Sequence, residues 1–500
     1  MIQKNYDIVV LGAGIAGLAL AKYVLEGNSD LTIAILAKGE LDSCNTSLAQ
    51  GGMAAVTDFN DDSFERHVED TFQAGGKVGT IDVIRRVVCD APARLNDLVR
   101  WGVNFDRHHV VFRLHREGGH SKHRIVHHLD ESGKAIHRTL LAQLQNKAPN
   151  VDFFSRYMGV ELACEQNRCS GLFALNESEE LVFFKSKAVI LCGGGNGALF
   201  ARTTNSPMAS GDAVVLAARK GARIKDLHKV QFHPTALYLN GEGELPLISE
   251  AVRGFGAHLL NHKGERFAFK YDGRGELAAR DVLSAAIDQE MKANNADYLF
   301  LSIKHLDKAD FKEHFPNILN TCLKHGFDPF ENDLPIVPAA HYQCGGINVD
   351  EVGHTSIQNL FAIGECAHTG LHGNNRLASN SLLEALAYAY YASNAILDQQ
   401  VNENPAIVKF ELLANNIVAA FDGEKLIRHL QSTMSQLYYY RKDWSMLNVF
   451  EKEIQGLQQS YHFLFLLPNK LAQEIRNRLD LAELFLEGWK AEVEVLQLVE

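Results

Sequence analysis

The sequence predicts an α/β protein, with a Rossmann-like dinucleotide-binding domain, an inserted α+β capping domain and a C-terminal helical domain. Three observations predict it. The apolar run Asp7-Ile8-Val9-Val10-Leu11 enters Gly12-Ala13-Gly14-Ile15-Ala16-Gly17 with no spacer, and helical periodicity and a second apolar run, Leu31 to Ala37, follow. Two later runs, Lys187 to Gly195 and Thr355 to Glu365, repeat the theme of a buried strand ending in glycine. The stretch between them follows a different pattern, and beyond residue 400 the chain reads as long amphipathic helices, Leu426 to Leu457 and Leu471 to Val499. The expected division is 1–230 and 336–400 for the dinucleotide-binding domain, 231–335 for the cap and 401–500 for the helical domain.

Each glycine of the first loop has a task. Gly12 permits the tight turn, Gly14 lets backbone approach a pyrophosphate, and Gly17 lets the helix pack closely on the strand. The amides around Ala13, Ile15 and Ala16 then face the phosphates from a helix N-terminus. Gly27-Asn28 should end that helix by C-cap chemistry. An NAD site usually carries an acidic residue at the end of the second strand to hold the ribose, whereas this strand ends in Lys38, which argues against NAD.

The totals exclude several classes. Five hundred residues, 46% of them hydrophobic, exceed one core and predict two or three domains. A net charge of −12 speaks against nucleic acid or an anionic membrane as partner, so an anionic substrate must be drawn by a local cationic cluster. Eight cysteines without a CxxC pair fit a reducing cytoplasm better than a disulfide framework or a zinc site. Lys4 and the apolar stretch ending in Ala19-Leu20-Ala21 resemble a secretory signal, but Asp7 and the patterned glycines interrupt it, and cleavage there would destroy the loop. No run is long enough for a spanning helix.

Further along, Asn45-Thr46-Ser47-Leu48-Ala49-Gln50-Gly51-Gly52 pairs hydroxyls with glycines, suiting close contact with a flat cofactor. Residues 113–128 hold five histidines, at 115, 120, 123, 127 and 128, but no cysteine or acidic partner at a metal-ligand spacing; a polar lid is expected rather than a metal. Residues 134–148 read as a helix, and Val151–Phe154 and Gly159–Cys164, which includes Val160, as strands. Gly193 in the second strand-glycine unit and Glu365 in the third, placed to accept from ribityl hydroxyls, agree with the first loop on FAD as the dinucleotide. The intervening segment contains Gln231-Phe232-His233-Pro234-Thr235, Ser249-Glu250-Ala251-Val252-Arg253 and Glu276-Leu277-Ala278-Ala279-Arg280-Asp281, then Ala339-Ala340-His341-Tyr342.

Taken in order over residues 6–400, these segments, with Thr204-Asn205, Ser210-Gly211-Asp212 and the run His372 to Glu384 holding Arg376, Ser381 and Leu382, resemble the succinate dehydrogenase and fumarate reductase flavoprotein superfamily, most closely its L-aspartate oxidase branch. The resemblance implies oxidation of L-aspartate to iminoaspartate by hydride transfer to flavin N5, with dioxygen, giving hydrogen peroxide, or fumarate as acceptor. It also implies the first step of de novo NAD synthesis and quinolinate synthase as a functional partner. Covalent flavin in the superfamily uses a histidine where this chain has Asn45, so FAD is expected to be non-covalent. By the same resemblance Glu117, in Arg116-Glu117-Gly118-Gly119-His120-Ser121, meets the substrate amino group, and Arg280 is the proton-transfer residue. Arg376 would hold one carboxylate, with His233, Thr235 and His341 donating to the ends and Glu250 and Arg253 as a nearby charge pair. The rival reading is a soluble fumarate reductase or succinate dehydrogenase flavoprotein subunit. Two departures concern packing: Tyr438-Tyr439-Tyr440-Arg441 replaces a glycine-containing turn, and the sequence ends at Glu500 without the basic tail often seen in the family.

Overall fold

In a computed structural model, residues 2–241, 243–398, 410, 422–462 and 467–499 are described. Five parallel strands form the main sheet, in the order Val151–Phe154, Ile33–Leu36, Ile2–Leu11, Leu181–Leu191 and Leu360–Ala362. On its other edge the first half of Leu181–Leu191, still paired with Ile2–Leu11, bonds to Arg168–Leu175 of an antiparallel hairpin whose outer strand is Met158–Glu165. All three strand-glycine units are therefore neighbours, and their carboxyl ends, at Leu11, Leu191 and Ala362, open on one edge. Val9, Val10, Ile35, Val189 and Ile190 are fully buried, as near-continuous apolar strands covered on both faces must be.

The first helix, Ile15–Gly27, leaves the first strand at once. Gly17 carries no side chain because a Cβ there would strike the Gly12 carbonyl and Val10. The expected glycine C-cap is different in detail. Asn28 is extended, and Gly27 is the last helical residue, kept small by Leu397 packed against it.

The inserted segment forms a second sheet in which Val230–Leu237 and Leu334–Gln343 run antiparallel, extended by Leu299–Ser302 and His258–Leu260. Helix Arg280–Asn294 packs on Val230–Leu237. Leu237, Val252, Leu259, Ile287, Leu301 and Ile336 give this segment a core of its own. Burying each such side chain stabilises by about 1.5–3 kcal/mol. Strand Leu334–Gln343 then leaves the cap core and ends beside the main sheet, which brings His341 and Tyr342 to the cavity.

The single helix expected over Leu426 to Leu457 is two, Gly423–Tyr440 and Trp444–Tyr461. The break falls where Asp443 accepts from the amides of Ser445 and Met446, an N-cap that competes with helix continuation. With Lys470–Val499, these helices put Leu430, Met434, Leu437, Phe485 and Trp489 into the main core. The boundary expected at 400/401 lies outside the described residues.

Candidate active site

A long cavity, with about 1680 Å³ of empty space including its mouth, runs along the carboxyl ends of the parallel strands and under the cap. This is where open α/β sheets bind nucleotides, because helix N-termini and unpaired strand ends meet there. At one end the wall is Gly12, Ala13, Gly14, Ile15, Ala16 and Lys38, with Gly193 and Asp212 opposite. Gly12 has φ +124°, and a Cβ on it would meet the Cys192 carbonyl. Gly12→Ala should therefore give protein without flavin absorbance after purification; a yellow variant would show that the loop tolerates the methyl.

Lys38 is half-buried, with Nζ 2.6 Å from Ser210 Oγ and 2.9 Å from Asp212 Oδ2. The Thr46 hydroxyl accepts from the Ile15 amide at 3.1 Å and so marks the helix N-terminus as a place for an oxygen ligand. Further in, Asn45, Gln50, Gly51, Gly52, Glu365, Ser381 and Leu382 line the wall. Asn45 accepts from the Ser206 amide and donates to Glu365 at 3.3 Å. An amide nitrogen so placed is no nucleophile for a covalent flavin bond. Glu365 is pushed up to about 7 by burial, against a hydrogen bond from the Gln343 amide. Gln50 Oε1 is buried and lacks a partner among the described residues. A glycine cradle, a helix N-terminus, small residues and an orphaned acceptor fit a flat dinucleotide such as FAD.

At the inner end the cap closes over the cavity. Arg280 donates from Nε to Glu250 Oε2 at 2.6 Å and from Nη1 to Gln231 Oε1 at 3.0 Å. The other Gln231 atom, Nε2, donates to Asn375 Oδ1 at 2.6 Å and to the Arg376 carbonyl at 2.7 Å, so one amide joins both arginines. Arg376 donates to His341 Nε2 at 3.1 Å and to Ser381 at 3.3 Å, and its guanidinium lies 4.3 Å from the Tyr342 ring centroid. Burial, and then the charge of Arg280, brings the Arg376 pKa down to about 10, which leaves it cationic at neutral pH. Its Nε has no partner among the described residues.

The two histidines are neutral and their tautomers are set. Arg376 donates to His341 Nε2, so the proton sits on Nδ1 and faces Thr204 Oγ1 at 2.7 Å. His233 Nδ1 accepts from the Thr235 amide at 3.2 Å, leaving Nε2–H buried and without a partner among the described residues. Burial and the surrounding arginines hold both rings well below the ordinary histidine pKa. His233 therefore offers a free donor to the cavity.

Glu117 faces these groups from the histidine-rich segment. It accepts from Ser379 Oγ at 2.5 Å and lies 3.8 Å from His115 Nε2. Burial opposes its ionisation, but His115, Arg280 and Ser379 outweigh it and hold the carboxyl at about 2. Gly51 and Gly118 are small for a reason: a Cβ on the first would meet Glu117, and on the second Glu250.

Five expected site residues lie behind the wall rather than on it. Gly17 packs helix on strand, and Ser47 stands at 3.5 Å from Cys44 Sγ. Val160 belongs to a separate apolar cluster, although neighbouring Gly159 reaches the wall. Thr235 donates to the Ile248 carbonyl, and fully buried Arg253 donates to the Glu276 carbonyl, with Glu250 3.5 Å away. Conversely, Thr204, Tyr342, Ser379 and Cys44 reach the wall, though sequence reasoning assigned them no role. Ser379 has φ +61°, a backbone state that its residue type does not announce.

The segment expected to form a polar lid is anchored. Buried Arg124 pairs with Asp62 and with Asp70, and donates to His120 Nδ1 at 3.0 Å. His120 Nε2–H donates to the Ala378 carbonyl at 2.9 Å. Among the described residues no three His, Cys, Asp or Glu side chains converge as metal ligands. Burial and Arg124 lower the His120 pKa to about 4, so unfolding takes up a proton between that value and about 6.5. The folded state should thus have full stability from this residue above about pH 6.5 and lose about 1.4 kcal/mol per pH unit as pH falls towards 4. His120→Gln should flatten that part of the slope in urea unfolding at pH 7, 6 and 5; an unchanged slope would assign it elsewhere.

The comparisons with known proteins agree with this geometry. A family profile described as FAD binding domain matches residues 7–382. An E. coli quinol fumarate reductase structure superposes with TM-score 0.88 at 26% identity, covering 97% of this chain and 89% of its own. Fold and cavity define an FAD-dependent oxidoreductase of the fumarate reductase and succinate dehydrogenase flavoprotein superfamily. An L-aspartate oxidase of Pseudomonas aeruginosa is 43% identical over 410 residues, 79% of this chain and 75% of the relative. One from Ralstonia nicotianae is 35% identical over 97% of this chain and 92% of its own length. The chain belongs to the L-aspartate oxidase family. Among the described residues no helix is long and apolar enough to cross a membrane.

Proposed function

We propose that this chain oxidises L-aspartate to iminoaspartate at the inner end of the cavity, with dioxygen or fumarate as the final acceptor. The observation that supports this most is the charge balance of the site. Arg280 and Arg376 stand on the wall with Glu117 and Glu250, and Arg253 is buried directly behind it, 3.5 Å from Glu250, so three cations against two carboxylates leave one net positive charge. Zwitterionic aspartate, with two carboxylates and one ammonium, neutralises that charge, whereas succinate or fumarate overshoots it. Desolvating each ion costs several kcal/mol unless a matching partner replaces water, so the count selects between them.

In this reading Arg376 holds one carboxylate, aided by His233 Nε2–H, and Glu117 accepts hydrogen bonds from the ammonium. With its carboxyl at about 2, Glu117 stays an acceptor and does not act as a base at neutral pH. Arg280, tied to Glu250 and Gln231, presents a fixed cation and cannot take a proton as a base. Bound FAD, held by the residues around Gly12, Thr46 and Glu365, supplies the two-electron acceptor for hydride from Cα. The flavin is non-covalent because Asn45 offers no nucleophile. The imine product suits quinolinate synthase as consumer and places the step first in NAD synthesis, a reading that rests on the family relationship. Peroxide release from L-aspartate beside succinate, with flavin recovered in the supernatant after acid precipitation, tests it. Faster flavin reduction by succinate than by aspartate would favour the fumarate reductase reading, which the shared fold supports.

A further inference from the structure

Two of the eight cysteines are placed as a pair on the hairpin that extends the main sheet. Cys164 and Cys169 are direct cross-strand partners in the register of Met158–Glu165 with Arg168–Leu175. Gln166 and Asn167 both have positive φ, 49° and 59°, so the loop is a two-residue turn closing on Glu165 and Arg168. The next pair out from such a closing pair is the non-hydrogen-bonded kind. The backbone agrees: the Cys169 amide donates to the Gln358 carbonyl, and the Cys169 carbonyl accepts from Asn359 at 3.5 Å, so neither group bonds to Cys164. Pairs of that kind bring Cα atoms to about 4.5 Å, with side chains on one face. A disulfide needs about 4.4–6.8 Å.

We propose that Cys164 and Cys169 form a peroxide-oxidised dithiol, with Cys164 as the attacking sulfur and Cys169 as the resolving one. Cys164 is half-buried at the hairpin tip, while Cys169 is buried in the main core, which also holds Leu162 and Leu172. The neighbouring Cys169 and Lys220, which also pairs with Glu161, favour a thiolate on Cys164 against burial, while the Cys169 thiol donates to the Gly171 carbonyl at 3.6 Å and stays in the thiol form. Thiolate is the reactive form, and a resolving thiol beside it stops oxidation short of irreversible products. In the first step the Cys164 sulfur attacks one peroxide oxygen, the O–O bond breaks, water leaves and a sulfenic acid forms. In the second, the Cys169 sulfur attacks Cys164, the S–O bond breaks and a second water leaves. Two thiols are oxidised to one disulfide and one hydrogen peroxide is reduced to two waters.

The hairpin is more than an ornament of the sheet. Its first strand starts at Met158, next to the cavity-lining Gly159, and packs on helix Asp212–Arg219, whose first residue is also on the wall. The bridge would close only the short loop between its own cysteines, so it acts on this hairpin alone.

The test uses wild-type, FAD-loaded protein and added hydrogen peroxide. Trypsin cleaves after Arg168, so the bridge would join peptides Tyr157–Arg168 and Cys169–Lys185 in non-reducing mass spectrometry. The expected result is that linked pair, two fewer titratable thiols and full reversal by dithiothreitol. Cys169→Ser should stop at a dimedone-reactive sulfenic acid on Cys164. Oxidation confined to exposed Cys89, or overoxidation of Cys164 with no cross-link, overturns the proposal. A second arm replaces added peroxide by L-aspartate turnover in air with and without catalase. Linkage by added peroxide alone would leave the pair assigned and count against dioxygen as acceptor.

Discussion

Arg376→Leu should lower kcat/KM for L-aspartate by about 30- to 4000-fold, or about 2–5 kcal/mol of transition-state stabilisation, while FAD content stays unchanged. The guanidinium is buried, its Nε has no partner among the described residues, and it sits over Tyr342 beside His341. Removing it strips a desolvated carboxylate of its partner, and the inner site drops from one net positive charge to none. The loss therefore falls on every dicarboxylate: aspartate oxidation and fumarate reduction should decline together. Steady-state rates with both substrates and the flavin-to-protein ratio decide the point. A fall below tenfold with normal flavin would move the carboxylate site away from Arg376.

Glu117→Gln should split the two activities. The carboxylate is buried and ionised throughout the working range, and Gln keeps its shape but removes its charge. An ammonium left facing an amide between Arg280 and His115 loses a charged hydrogen bond, costing about 2–5 kcal/mol. Fumarate has no nitrogen, and the extra positive charge favours its second carboxylate, so its reduction should be retained or improved. Equal losses in both reactions would show that Glu117 holds the architecture through Ser379 rather than the substrate.

The two arginines of the inner site are joined by one residue, Gln231, whose importance was hidden in the sequence. In the strand Val230–Leu237 it reads as an ordinary polar residue before an apolar one, yet its amide accepts from Arg280 and donates to the Arg376 carbonyl. The arginines lie 96 residues apart in sequence, and nothing local indicates that one side chain bridges them. Thr235 shows the opposite case. Two residues from His233, it belongs to the same motif, but Pro234 interrupts the ladder and its hydroxyl turns to Ile248. Adjacency in sequence did not amount to a shared site.

Sequence alone determined the dinucleotide cradle, because there the chemistry is local. Gly12, Gly14 and Gly17 act on backbone atoms within a few residues, and the strand before them and helix after them are written in hydrophobic period. The three glycine-ended strands could likewise be read as one cofactor-binding sheet, since each signals a buried strand that must find neighbours. Only the tertiary structure decided which polar groups face the cavity, which histidine nitrogen is free, and that Glu117 stays ionised in a buried place. Those properties arise from charges and hydrogen bonds contributed by several distant segments. Their energies depend on distance and burial, which chain order does not encode.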